Sequence, residues 1–229
     1  MSTYREIVYM VLDELKEHSD DAYYTEDHIV YLVNNIRAAL LEKKYPNNKK
    51  DIPSENYIEL CLDLVEDNLI DGSPCSATVL KSTKKIPSLL RVGYPKIYPE
   101  DYFSSGHVTW VSMERFRYAG DGNKWLQNMI YATRGTDSHL YLRSKNPQFI
   151  YMTKAKIHGV FSDPKEAYKM SCEDDGACDI LDKQFPLESN LIQLCIQMAV
   201  SELTGQRYAP EDKANNAEDD LAKVQVKRQ

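Results

Sequence analysis

Apolar residues recur at helical spacing near both ends of the chain and at strand spacing between them. Ile7, Val8, Val11, Leu12 and Leu15 share one face behind a T-x-x-E capping box made by Thr3 and Glu6, which predicts a helix running to about His18. Thr25 caps a second stretch in which Ile29, Leu32, Val33, Ile36 and Leu40 keep the same period. Residues 1–45 therefore read as a helical hairpin. The segment "KKYPNNKKDIPSEN" ends it, with two prolines and paired asparagines among charged residues.

A different period follows. In "YIELCLDL", Ile58, Leu60, Leu62 and Leu64 alternate with Glu59, Cys61 and Asp63, which favours a strand, although Ile58, Cys61, Leu62 and Val65 also fit a helix. From Cys75 to about Phe161, short apolar runs alternate with Gly, Pro, Asn and Asp breaks, and "RGTD" reads as a hairpin tip in which Gly135 is free to take positive φ. The inserted stretch, 54–161, thus predicts a small antiparallel β module. Asp163 and Pro164 then open a short helix. A long one starts near Pro186 and stops at Gly205. Its polar residues Asn190, Gln193, Gln197 and Ser201 form one narrow stripe, so Leu187, Leu191, Leu194, Cys195, Ile196, Met198 and Leu203 place it in the middle of a bundle. The fold class expected is α+β: a helical bundle from both ends of the chain (1–45 with 162–205), the β module inserted, and an extended C-terminal arm, 206–229.

That arm changes the picture. Tyr208, Leu221, Val224 and Val226 are its large apolar residues and ten of its residues are charged, so folding alone cannot offset its ordering entropy. It is expected to gain its shape from a neighbouring subunit, with Tyr208, Pro210, Leu221, Val224 and Val226 as anchors. The remaining composition suits a globular protein: 229 residues, 42% hydrophobic, net charge -7. The acidic balance disfavours gripping a phosphate backbone. No apolar run approaches the roughly 18–20 residues of a spanning helix, and the N-terminus lacks a basic region followed by an apolar core, so neither membrane nor secretion is expected. Five cysteines, an odd number in a chain this large, are expected to be reduced thiols. Sixteen tyrosines lean toward interfaces.

Candidate chemistry is sparse. No phosphate loop, H-E-x-x-H or G-x-S-x-G occurs, and His18, His28, His107, His139 and His158 are scattered singly. "AGDGNKW" reads as a turn and the lysines of "KKYPNNKK" as a solvated linker. The strongest candidate is "CEDDGACD", where Cys172, Glu173, Asp174, Asp175 and Asp179 could centre a metal-binding enzyme or a metal-stabilised domain. Its spacing fits neither an EF-hand, because Gly176 at the sixth position puts Ser171 at the first, nor zinc, because Cys172 and Cys178 are separated by five residues.

Three long segments carry a resemblance: "YREIVYMVLDELKEHSDDAYYTEDHIVYLVNNIRAALLEKKY", the stretch from "KKIPSLL" through "ERFRYAGDGNKWLQNMIYATRGTDSHLYLRSKNPQFIYM", and "CDILDKQFPLESNLIQLCIQMAVSELTGQRYAPEDKANNAEDDL". Together they resemble the head-to-tail connector ring proteins of crAss-like bacteriophages, short-tailed phages of gut Bacteroides. The resemblance implies a structural virion protein with no enzymatic activity and no cofactor, made in the host cytoplasm. It further implies a dodecameric ring under the portal that seats the next tail component, with genomic DNA passing through without specific binding. Exposed aromatics of the β module, Trp110, Phe116, Tyr118 and Trp125, are candidates to face an adjacent ring, with a hydrophobic core as the competing use of the same rings.

Overall fold

The alternating run after residue 57 becomes the pivot of the molecule. A computed structural model describes residues 2–18, 24–46, 52–67, 78–100, 108–121, 124–126, 128–172 and 179–205. In it β1 (Ile58–Glu66) pairs antiparallel with β7 (Lys154–Gly159) from Ile58 to Asp63, and with β2 (Thr78–Ser82) from Leu64 to Glu66. One strand thus joins the two halves of a single sheet. β3 (Lys96–Pro99) lies on the far side of β7, while β6 (Leu140–Ser144), β5 (Ile130–Arg134) and β4 (Val108–Trp110) continue beyond β2. The order among the described residues is β3-β7-β1-β2-β6-β5-β4, and the two outer strands come near each other, so the sheet is almost a closed barrel. Even-numbered β1 residues, Ile58, Leu60, Leu62 and Leu64, face its core with Ile97, Ile130, Leu142 and Ile157.

This overturns the expected architecture. The organising body is a seven-stranded mixed sheet with its own core, not a small antiparallel module set into a helical bundle. β4 and β5 are parallel because the chain between them makes a crossover that contains α3 (Met113–Phe116) and a 3-10 turn, Lys124–Leu126. A second apolar cluster, Val79, Phe116, Tyr131 and Tyr141, covers another face of β2, β5 and β6. β5 and β6 are buried on both faces, so burial does not alternate along them. Gly135 does not take positive φ; Ser138 does, at 67°. Gly135 is small for another reason, since a β-carbon there would run into the Tyr141 ring and the Asp137 carboxylate.

The long helices α1 (Tyr4–His18), α2 (Glu26–Lys44) and α5 (Ser189–Gly205) pack on one another. They also cover the end of the barrel where β1 starts and β7 finishes, through Leu90, Val92 and Val160. Their caps form as the local chemistry dictates: Thr3 and Glu6 exchange hydrogen bonds of 3.2 and 3.0 Å, and Thr25 accepts from the His28 N–H. Asp163 caps the short α4 (Pro164–Tyr168) by accepting from the Lys165 N–H at 2.9 Å. α5 is not central. Leu194 and Met198, one turn apart, are 43% and 40% exposed, so this helix lies at the surface.

A buried cation joins helices to barrel. The fully buried Arg37 of α2 donates to the carbonyl oxygens of Pro186 at 2.6 Å, Phe161 at 2.8 Å and Asn56 at 3.3 Å, which belong to the segments entering α5, leaving β7 and entering β1. Burial pulls its pKa down to about 10, and Tyr4 and Tyr168 oppose the shift, so it stays charged at neutral pH. Beside it, the Glu188 carboxylate takes Lys44 at 2.7 Å and the Tyr45 hydroxyl at 3.0 Å. The cysteines also depart from expectation. Cys61 and Cys172 form a disulfide across a Cα separation of 4.9 Å, brought together by the Leu60 to Ser171 bridge and by the Cys61 N–H bonding the Met170 carbonyl. Cys195 remains a buried thiol, its pKa pushed up to about 12 by that burial.

Candidate assembly surfaces

The two described ends of the acidic loop that drew most attention for chemistry have structural duties. Cys172 is covalently committed to Cys61, so it offers no thiolate to a metal. Asp179 caps the 3-10 turn Ile180–Asp182 by accepting from the Leu181 N–H at 3.1 Å, and pairs with Arg5 at 3.2 Å. Glu173, Asp174 and Asp175 lie outside the described residues. Among the described residues no group of three or more His, Cys, Asp or Glu side chains could hold an ion. A cavity of about 250 Å³ beside α2 is lined by Asp27, Val30, Tyr31, Asn34 and Lys165, and its charged pair is already closed, with Lys165 to Asp27 at 3.1 Å.

The four aromatics predicted to face a neighbour separate. Phe116 is fully buried in the cluster over β2, β5 and β6, and cannot be a contact residue. The core use of that ring prevailed because α3 folds it inward, and Arg143 secures the end of that helix by donating to the Phe116 and Arg117 carbonyls. Tyr118 and Trp125, on the same crossover, are 74% and 92% exposed. Trp110 is half-buried on β4, packed against the barrel core. The arm residues Tyr208, Pro210, Leu221, Val224 and Val226 all lie outside the described residues.

Two surfaces escaped the sequence reading. On the helical side, Tyr9 and Met10 of α1 and Leu194 and Met198 of α5 expose large apolar groups. On the barrel side, β3 and β4 border an open groove of about 680 Å³ lined by Tyr94, Ile97, Tyr98, Val108 and Trp110, with Tyr94 67% and Tyr98 50% exposed. A sequence signal for the second existed, since Pro95 and Pro99 bracket the strand and proline is confined to sheet edges. The first gave none, because an apolar residue on a helix looks the same whether a neighbour within the chain covers it or not.

Exposed aromatic and aliphatic groups on two unlike faces are what a subunit needs to meet copies of itself head to tail. The comparisons with known proteins point the same way. The family model for phage tail ring protein 2 matches residues 6–221. Ring protein 2 of Bacteroides phage crAss001 is 45% identical over 222 residues, spanning 96% of this chain and 98% of that protein. A match of that strength over nearly the whole of both chains leaves one conclusion: this chain belongs to the phage tail ring protein 2 family.

Proposed function

We propose that the chain is a structural subunit of the virion that closes into a ring, a dodecamer, within the head-to-tail connector, below the portal and above the next tail component. The observation that carries this reading is the near full-length match to a ring protein of a crAss-like phage. Two unlike exposed faces on one subunit support it, because a ring closes only if each copy offers a different surface to its left and right neighbours. The role is assembly rather than turnover. The net charge of -7 suits a conduit through which genomic DNA slides without being held, since a basic lumen would bind phosphates by counterion release.

The test is to mix the purified chain with the portal protein of its own phage and follow assembly by negative-stain imaging and native mass spectrometry. Rings of one defined copy number seated on the portal are the expected result. A chain that stays monomeric at every concentration and never joins the portal overturns the reading.

A further inference from the structure

The barrel stops one step short of closing, and its chemistry at that point is specific. Following the pairings round the sheet, β3 and β4 run antiparallel to each other, yet among the described residues no ladder joins them. Backbone geometry explains the failure. The Glu100 N–H bonds the Lys154 carbonyl, which in an antiparallel ladder leaves the groups of residues 95, 97 and 99 turned to the outer edge of β3. Two of those three are proline, so the edge presents a single donor, the Ile97 N–H. On the other side, the Val111 N–H bonds the Ala132 carbonyl, which turns the N–H and C=O of both Val108 and Trp110 away from β5 and into the groove. β4 is therefore a short, fully equipped edge facing one with a single donor for its two outward carbonyls.

The core is open along this seam. Ile130, Ala132, Leu142 and Ile157 are 0% exposed, whereas Val108 and Trp110 pack on the same core and remain partly exposed. Tyr94 and Tyr98 stand beside them. The site fits an extended segment of a few residues with apolar side chains at alternate positions.

The chain itself supplies one. Past α5 it continues for 24 residues, and within them "AKVQVK", residues 222–227, sets Ala222, Val224 and Val226 against Lys223, Gln225 and Lys227. Residues 223–229 contain Lys223, Lys227 and Arg228 and no Asp or Glu, in a chain whose net charge is -7. The 16 residues between Gly205 and Ala222 extend to about 55 Å at roughly 3.4 Å each, against a radius of gyration near 17 Å for a domain of this length. That reach is about three times that radius, enough to carry the arm beyond its own domain. We propose that residues 222–227 of a neighbouring copy enter the seam as an added strand, pairing with β4 and laying Ala222, Val224 and Val226 over Ile97, Val108 and Trp110. The neighbour rests on the ring reading above; the seam does not. The added strand lies past residues 6–221, the stretch matched by the family model.

Amide hydrogen exchange of the full-length protein tests the proposal, with Val224→Asp, Val226→Asp as the comparison. The Val108 and Trp110 amides are expected to exchange at least about tenfold faster in the double variant, while Leu142 and Ile157 stay unchanged as controls for the fold. In the unaltered protein that protection is expected to rise with concentration. The peptide AKVQVKRQ, added to the double variant, should restore it saturably, and a peptide carrying both aspartates should not. Equal exchange in the two proteins, or a peptide without effect, overturns the proposal. Protection independent of concentration also overturns it, by showing that the tail fills its own seam. A ring that forms on the portal with the seam unprotected sinks this proposal and spares the ring reading, whereas peptide binding without any ring does the reverse.

Discussion

Arg37 shows how much a single side chain holds together. Its guanidinium donates to three carbonyls from three separate segments, and no other side chain type has the donors to do so in that geometry. Arg37→Met keeps much of the volume but strands those oxygens in a buried place, so a loss of about 3 kcal/mol or more is expected in urea unfolding, with Arg37→Lys recovering part of it. The aromatics separate by exposure rather than by type. Phe116→Ala empties a fully buried site and should cost about 3–5 kcal/mol. Tyr118→Ser, at 74% exposure, should change stability by no more than about 0.5 kcal/mol while weakening the docking of an adjacent ring in native mass spectrometry. Unchanged docking of the adjacent ring by Tyr118→Ser removes that face from the contact. Nothing in the local sequence distinguishes these two residues, which sit two positions apart. What separates them is which side of α3 and its following turn meets the sheet.

At the scale of elements, local signals performed well where local contacts decide. The capping box at Thr3, the Thr25 cap, the Asp163-Pro164 start and the alternation of β1 all appear as read, because each depends on residues within a turn of one another. The apolar stripe of α5 misled. It called for partners all round, yet Leu194 and Met198 are left outward, as a subunit with an interface on that helix would leave them. Cysteine count likewise pointed to free thiols, while the return of the chain past α4 sets Cys172 beside β1. That bond ties positions 111 residues apart, so reduction, or Cys61→Ser with Cys172→Ser, should lower stability by about 2–4 kcal/mol. A thermal melt with and without reductant checks it: the unaltered protein should shift and the double variant should not. An unaltered protein indifferent to reductant, with five titratable thiols, would show the bond absent in solution.

For the whole molecule, the sheet order is the feature that local reading had no access to. β1 joins β7 from almost a hundred residues away, and β4 takes β5 in parallel across a crossover. Such pairings are chosen by which edges and faces remain after everything else has packed, a competition among distant segments that no window of sequence contains. The amino-acid sequence alone determined the helices, their caps, the alternating strand and the family, since these rest on short-range periodicity and on long runs of particular residues. Only the tertiary structure decided that the strands curl into a nearly closed barrel, that Phe116 is core while Tyr118 is surface, that two cysteines meet, and that β3 and β4 leave a seam. The physical reason is the same in each case: burial and pairing are properties of contacts between remote residues, and they exist only once the chain has folded.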